Sequence, residues 1–207
     1  MTRLRLYSLA YPVRSLGPGL RAALWVAGCD RKCPGCLSPE MQPFSSGRLI
    51  EIGALARKLL SVGHPLTGLT VSGGEPFDQA GALLDLLDRL KPTRPDWDVL
   101  VYTGYTRPEI ESVSETGRRL LSHIDILIDG PYRAEIPGRH PLAGSGNQEI
   151  IYLSPLGESR RQLMDDFPAG RFDLGLGPRG LSTLIGVGDP LRRSRVRHGL
   201  GLSTGRA

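Results

Sequence analysis

The chain has 207 residues, 40% of them hydrophobic and 23% charged, so it can bury the core of one domain and is too apolar for a disordered protein. Its formal net charge is +5, a balance that raises the question of a nucleic-acid partner. The two signs cancel within residues 1–189, and the excess consists of five arginines in residues 190–207. We therefore expect no nucleic-acid partner.

The N-terminal residues 1–11 carry arginines but no apolar block with a cleavage site, so they do not resemble a secretory signal. No apolar run is long enough to span a membrane. We expect a cytoplasmic protein without membrane contact. The first predicted strand covers residues 20–28, an apolar run that ends at a glycine.

The three cysteines of the chain, Cys29, Cys33 and Cys36, lie on the loop that follows this strand. An odd number of cysteines so close together makes a poor disulfide framework. Three unrelated buried cysteines are a poor explanation as well, because so rare a residue seldom clusters by chance. A structural zinc site needs four protein ligands, and His64 as the fourth has no finger-like spacing. A four-iron cluster held by three thiolates leaves one iron open to a substrate.

Strand-like and helix-like segments then alternate, which predicts βα units and a parallel sheet of the α/β class. The helices cover residues 49–62, 78–91 and 106–113, and the strands cover residues 68–72, 98–102, 124–128 and 149–153. Segments 172–176 and 181–187 flank Gly-Pro-Arg-Gly and predict a β-hairpin that extends the edge of the sheet. We expect a core domain over 1–155, this hairpin extension packed on it over 156–189, and a disordered basic tail over 190–207.

In parallel α/β folds the functional groups gather at the carboxyl ends of the strands. Four motifs fall there: the cysteine loop, Ser-Gly-Gly-Glu-Pro at 72–76, Tyr-Thr-Gly-Tyr-Thr at 102–106, and Asp-Gly-Pro-Tyr at 129–132. Each motif alone is also a plausible turn after a strand. Their agreement indicates one site at this edge.

The pattern C-x3-C-x2-C on a loop after the first strand resembles the radical SAM superfamily. Residues 17–44 are similar to the activating enzymes of glycyl-radical enzymes, above all those of anaerobic (class III) ribonucleotide reductase. The similarity includes Gly-Pro-Gly-Leu-Arg at 17–21 and Cys-Pro-Gly-Cys at 33–36. The chain departs from the family pattern at Asp30, Leu37 and Ala143.

The resemblance implies a partial, open (β/α) barrel in which the three cysteines ligate a [4Fe–4S] cluster. It implies that S-adenosylmethionine binds the open iron and the backbone of Gly73 and Gly74, with Glu75 as a countercharge to the ammonium group. It also implies further ligand contacts at Tyr102, Thr103, Asp129 and Asn147. From the residues alone, Asp129 could also cap a helix and Asn147 could order its loop.

The implied reaction is reductive cleavage of S-adenosylmethionine to a 5′-deoxyadenosyl radical, which generates a glycyl radical on a partner such as anaerobic ribonucleotide reductase. Flavodoxin or ferredoxin is the implied electron donor. Two alternatives remain open. One is a radical SAM enzyme with another peptide or a small-molecule substrate, and the other is a non-catalytic iron–sulfur or zinc binding module.

Overall fold

Seven strands form one mixed sheet in the computed structural model of the chain, which describes residues 2–176, 182–188 and 190–200. In chain order the strands are β1 (Arg3–Val13), β2 (Arg21–Val26), β3 (Arg48–Glu51), β4 (Gly68–Gly73), β5 (Asp98–Tyr102), β6 (Ile126–Asp129) and β7 (Glu149–Tyr152). Across the sheet the order is β3-β1-β2-β4-β5-β6-β7. Strands β2, β4, β5 and β6 are parallel, while β1, β3 and β7 pair antiparallel. The predicted α/β class is confirmed.

The helices are α1 (Ile52–Leu60), α2 (Ala80–Leu90), α3 (Arg107–Val113), α4 (Glu115–Leu121), α5 (Pro155–Glu158), α6 (Arg161–Asp165) and α7 (Pro190–Gly199). Alternate residues of a strand point to opposite faces of a sheet. Leu24, Val71 and Val101 therefore share one face, where they join a core cluster with Leu59 of α1 and Leu86 of α2. None of the helices in the described ranges has the length and apolar character that a bilayer span needs.

The opposite face of the sheet is covered by the C-terminal part of the chain. Ile126 and Ile128 of β6 pack with Met164 of α6, and Ala23 of β2 packs with Ile185. An uncovered face would expose such apolar residues to water. Residues after 155 therefore supply the second layer over this face.

Strands β8 (Asp173–Leu176) and β9 (Ser182–Ile185) pair antiparallel in a separate two-stranded sheet, so the predicted position at the edge of the main sheet is wrong. Polar contacts hold the pair over the face instead. The Asp173 carboxylate accepts hydrogen bonds from Arg14 N and Ser15 N, both at 2.7 Å. Ser15 Oγ donates to Ile185 O at 3.0 Å. The residues between β8 and β9 lie outside the described residues.

Three further expectations are corrected. Strand β1 was not predicted, and the helix expected over 49–62 begins at Ile52, since β3 pairs with β1 and Glu51 accepts from Gly53 N as a cap. A helix, α7, replaces predicted disorder at Pro190–Gly199. Proline suits the first position of a helix and arginine is a good helix former. Residues 201–207 lie outside the described residues.

A buried ion pair joins the amino ends of the parallel strands. Arg21, at the start of β2, is 0% exposed, and its Nη1 lies 2.7 Å from Oδ1 of Asp98, at the start of β5. Arg21 also donates to Thr70 Oγ1 at 2.6 Å, to Leu69 O at 2.8 Å and to Pro18 O at 3.0 Å. These bonds compensate the desolvation of the guanidinium group.

Candidate active site

The cysteine loop leaves β2 at the carboxyl edge of the sheet and is held by backbone hydrogen bonds. Gly28 N donates to Met41 O and Cys29 N donates to Gln42 O, both at 2.9 Å. Lys32 and Gly35 adopt positive φ angles of 48° and 69°, which lets the chain turn sharply between the cysteines. The predicted irregular loop at a strand end is confirmed.

All three thiols are free and half-buried. Burial raises the pKa of the Cys29 thiol, and the charge of Glu75 acts in the same direction, while backbone N–H groups at Arg31 and Lys32 lower it. Among the described residues, no three His, Cys, Asp or Glu side chains stand together as a ready metal site. The loop carries three thiol donors, and metal binding at such a loop is coupled to its local folding.

Gly73 and Gly74 bring the end of β4 against the end of β2. Gly74 N donates to Val26 O at 2.7 Å, and Glu75 N donates to Gly28 O at 2.8 Å. A Cβ at Gly74 would lie 2.2 Å from Gly28 O, and one at Gly73, where φ is 109°, would lie 2.4 Å from Val26 O. The two glycines are therefore required by backbone contact with the segment that precedes Cys29.

The side chain of Glu75 is 1% exposed and accepts three internal hydrogen bonds. Oε1 accepts from Phe77 N at 2.9 Å and from Thr103 Oγ1 at 2.8 Å, and Oε2 accepts from Gly104 N at 2.8 Å. Burial raises the pKa of Glu75 to about 7. These bonds tie β4 to the turn after β5. The expected role of Glu75 as a countercharge to the ligand stays a prediction.

Thr103 and Asp129 also have internal hydrogen-bond partners, and their expected ligand contacts stay predictions. The Thr103 hydroxyl group donates to Glu75 Oε1 and accepts from Tyr105 N, and Thr103 is 4% exposed. Asp129 Oδ2 accepts from Arg107 N at 2.6 Å, at the first turn of α3. This bond fits the helix cap that the sequence left open for Asp129, because the first turn of a helix has N–H groups without intrahelical partners.

Three polar atoms at this edge are buried without a hydrogen-bond partner in the described residues: Arg31 Nε, Tyr102 OH and Asn147 Oδ1. Burial raises the pKa of Tyr102. The amide of Asn147 donates to Pro131 O at 2.7 Å, so Asn147 orders the loop while its oxygen stays free. Buried polar atoms without partners are rare in folded proteins, and Arg31 Nε and Asn147 Oδ1 fit a polar ligand above the strand ends.

A cavity of about 440 Å³ opens between the cysteine loop and residues 131–135. Its lining includes Cys33, Arg31, Arg133 and Glu135. The volume lies in the range of small-molecule sites. The thiol donor set, the orphaned polar atoms and this cavity together fit an iron–sulfur cluster with an organic ligand beside it.

Sequence reasoning missed three contributors to this edge: Asp78, Tyr105 and Gln79. Asp78 was expected to cap a helix, but it lies within a short 3-10 helix, and its Oδ1 accepts from Tyr105 OH at 3.1 Å. Gln79 Nε2 donates to Ala27 O at 3.1 Å. Tyr105 belongs to the Tyr-Thr-Gly-Tyr-Thr motif, so the motif itself was a signal for it.

Fold and site define a class of protein, an α/β iron–sulfur protein with one three-thiol loop. A family model described as a 4Fe-4S single cluster domain matches residues 15–151. The anaerobic ribonucleoside-triphosphate reductase-activating protein of Vibrio cholerae is 36% identical over 153 residues, which is 70% of this chain and 96% of that protein. The protein of the same name from Haemophilus influenzae is 33% identical, over 62% of this chain and 85% of that protein. The one from Enterobacteria phage T4 is 28% identical, over 70% of this chain and 92% of that protein.

The chain belongs to the family of anaerobic ribonucleoside-triphosphate reductase-activating proteins. The family model ends at residue 151, and the relatives cover 62–71% of this chain. Strands β8 and β9 and helix α7 therefore lie beyond the residues that the family model matches.

Proposed function

We propose that this chain cleaves S-adenosylmethionine reductively and thereby generates a glycyl radical on an anaerobic ribonucleotide reductase. The observation that carries the proposal is the position of the three-thiol loop, which is joined by backbone hydrogen bonds to the Gly-Gly-Glu turn and borders the cavity. The names of the relatives supply the partner, since each is an activating protein of that reductase.

Cys29, Cys33 and Cys36 would hold the [4Fe–4S] cluster through their thiolates. When bound, the cluster supplies an open iron for S-adenosylmethionine and the electron that breaks its C–S bond to give methionine and a 5′-deoxyadenosyl radical. The chain itself must bind and orient the sulfonium ligand. Gly73 and Gly74 set the distance between the ligand-binding turn and the cysteine loop, because no side chain fits between them.

We infer contacts to the ligand from the buried polar atoms that have no hydrogen-bond partner. Asn147 Oδ1 is an acceptor and Tyr102 OH is both a donor and an acceptor, so either can meet a ribose hydroxyl group. Arg31 and Arg133 line the cavity and suit a carboxylate group. The turns that carry these contacts are positioned by the internal hydrogen bonds of Glu75, Thr103 and Asp129.

The partner's glycine reaches this site through the open edge. The outer strands β3 and β7 each pair on one side within the described residues, which supports a partial, open barrel. We assign residues 1–155 to the radical SAM core, 156–189 to a hairpin extension packed on it, and 190–207 to a basic tail. Flavodoxin or ferredoxin is the proposed electron donor. Three free thiols suit the reducing cytoplasm.

Anaerobic reconstitution tests the proposal. We expect four irons and four sulfides per chain, dithionite-dependent release of 5′-deoxyadenosine, and a glycyl-radical EPR signal when the reductase is added. Cleavage of S-adenosylmethionine without a radical on the reductase would favour a radical SAM enzyme with another peptide or small-molecule substrate. Stoichiometric zinc and no cleavage would leave a non-catalytic binding module.

A further inference from the structure

Three turns meet at the carboxyl edge of the sheet through the side chain of Tyr105. Its hydroxyl group donates to Asp78 Oδ1 at 3.1 Å, which joins the turn after β5 to the turn after β4. Its ring lies beneath the guanidinium group of Arg31, with 4.4 Å from Cζ to the ring centroid, which joins the turn after β5 to the cysteine loop. One side chain thus connects the loops of three adjacent parallel strands.

Gly104 makes the approach of Arg31 possible. A Cβ at Gly104 would lie 2.6 Å from Arg31 Cδ and 2.8 Å from Arg31 Nε. The stem of Arg31 therefore runs directly across the backbone of the Tyr-Thr-Gly-Tyr-Thr turn. Because Arg31 stands between Cys29 and Cys33 in the sequence, fixing its side chain fixes the backbone between two thiols.

Asp78 contacts the same loop electrostatically. Burial raises the pKa of the Asp78 carboxyl, while the Tyr105 hydrogen bond, the backbone of Asp30 and the charge of Arg31 lower it. A carboxylate, a phenol and a guanidinium group therefore form one connected set, in which the anion faces the cation across the tyrosine. Such networks act as a unit, and removing any member weakens the others.

We propose that Arg31, Tyr105 and Asp78 form a latch that positions the cysteine loop against the turns after β4 and β5. The proposal rests on the proposed function, since the latch would set the distance between the iron–sulfur cluster and the S-adenosylmethionine bound at Gly73 and Gly74. None of the three residues needs to touch the reacting atoms. They are positioning residues, and their loss should disturb geometry while the thiol ligands remain.

Four variants test the latch in the reconstituted, full-length protein: Arg31→Ala, Arg31→Lys, Tyr105→Leu and Tyr105→Phe. We expect wild-type iron and sulfide content in all four, because every thiol is retained. Iron release to a chelator should be faster by roughly 5- to 30-fold in Arg31→Ala and Tyr105→Leu, as expected for loss of a cation–π contact. The turnover number for 5′-deoxyadenosine should fall by a similar factor. KM for S-adenosylmethionine should change by less than about twofold in Tyr105→Leu, because its proposed binding contacts stay in place, and should rise in Arg31→Ala, which also removes a proposed contact to the carboxylate group.

The conservative variants separate the two contacts of Tyr105. Tyr105→Phe keeps the ring beneath Arg31 and removes only the hydroxyl group, so we expect a smaller effect of roughly fivefold. Arg31→Lys keeps the charge but not the planar stack, so it should restore only part of the loss in Arg31→Ala. Adding Asp78→Ala to Tyr105→Phe should weaken the loop further, but by less than the two single effects combined, since the variants share one bond and Asp78 also interacts with the backbone of Asp30 and the charge of Arg31.

The chain offers matched controls away from the cysteine loop. Arg161 of α6 stacks over Tyr152 of β7 at 4.1 Å from Cζ to the ring centroid, so Arg161→Lys repeats the change of Arg31→Lys at a second stack. Tyr11→Phe removes a hydroxyl group from β1. Both controls should match the wild type in chelation rate and turnover.

The spectroscopic signature of the reduced cluster decides between positioning and general stability. We expect the EPR shift caused by S-adenosylmethionine to be uniform in the wild type and the controls, and heterogeneous in Arg31→Ala and Tyr105→Leu. A wild-type EPR shift and chelation rate in these two variants would overturn the latch while leaving the proposed function intact. A wild-type protein that binds no cluster would instead defeat the proposed function.

Discussion

The two edges of the parallel sheet differ in the partners of their buried charged groups. At the amino edge, Arg21 and Asp98 pair at 2.7 Å, and Arg160 adds a second contact to Asp98 at 3.2 Å. At the carboxyl edge, Arg31 Nε, Tyr102 OH and Asn147 Oδ1 are buried without partners in the described residues. Two further buried atoms of the described residues have no hydrogen-bond partner, and both lie at the amino end of β5: Trp97 Nε1, and Asp98 Oδ1, which forms an ion pair with Arg21 without a hydrogen bond.

The difference separates stability from function within one sheet. Buried charges that pair with an opposite charge hold the strands together, and losing one partner is costly. Buried polar atoms without partners destabilise the ligand-free chain and gain their partners when a ligand binds. Mutations at the amino edge should therefore change the stability of the protein, and mutations at the carboxyl edge should change ligand binding and turnover.

The largest effect is expected from the thiol loop. Cys36→Ala should reduce 5′-deoxyadenosine formation to background, since a cluster held by three thiolates has no spare ligand. The thermal unfolding midpoint of the cluster-free protein should change little, because the Cys36 side chain is half-buried. Full activity in Cys36→Ala would show that the ligand assignment is wrong.

The next largest effect is expected at the amino edge. Asp98→Ala leaves the Arg21 guanidinium group buried and unpaired, so it should lower the free energy of unfolding by about 3–5 kcal/mol. The exposed Asp88 pairs with His123 at 2.9 Å, and Asp88→Ala should cost less than about 1 kcal/mol. Urea denaturation of the cluster-free proteins measures both, and equal losses would contradict the contrast between the two edges.

Glu75 should give the cluster-free protein a pH-dependent stability. Its pKa in the folded chain is raised by burial from 4.5 to about 7. The protonated form is therefore favoured by folding, and the stability it contributes is present below pH 4.5 and is lost as the pH rises through 7. The loss should amount to roughly 2–4 kcal/mol by about pH 8.

Glu75→Gln is the matched variant for this measurement. Its amide group faces a backbone N–H in place of a carboxylate oxygen, which lowers stability by an amount that does not depend on pH. Urea unfolding between about pH 5 and pH 8 should therefore show the fall in the wild type and a flatter profile in Glu75→Gln. Parallel profiles would assign the pH dependence to other groups.

The smallest effect is expected from Tyr102→Phe, which removes an orphaned hydroxyl group. The free energy of unfolding should stay constant or rise by about 1 kcal/mol, because no bond is lost and a buried polar atom disappears. Binding of S-adenosylmethionine should weaken by roughly 3- to 10-fold if the hydroxyl group meets the ligand. Clear destabilisation, with Tyr152→Phe as the control, would show that the hydroxyl group already has a partner.

The sequence predicted the parallel strands well, because each of β2, β4, β5 and β6 is a short apolar run that ends at a glycine or polar motif. It also predicted the edge where the motifs gather. It failed at β1, an antiparallel strand whose apolar and polar residues alternate only in part, and at α7, where composition suggested disorder and arginine's helix propensity prevailed.

Side-chain roles at the site were less predictable. A carboxylate after a strand can bind either a ligand or a backbone N–H group, and only the three-dimensional structure shows which group lies near it. Asp129 meets the N–H of Arg107, which lies 22 residues earlier, and Glu75 meets Gly104, 29 residues later. Neither separation along the sequence corresponds to a recognisable motif.

The contact between Gly74 and Gly28 has a consequence for engineering. A methyl group at Gly74 would lie 2.2 Å from a carbonyl oxygen of the cysteine loop, so no library of side chains can retune the spacing of these two segments. New acceptors for the radical must be sought by varying the rim at residues 131–138, with residues 28, 73 and 74 held constant. The backbone thus divides the chain into a fixed reaction centre and a region open to redesign.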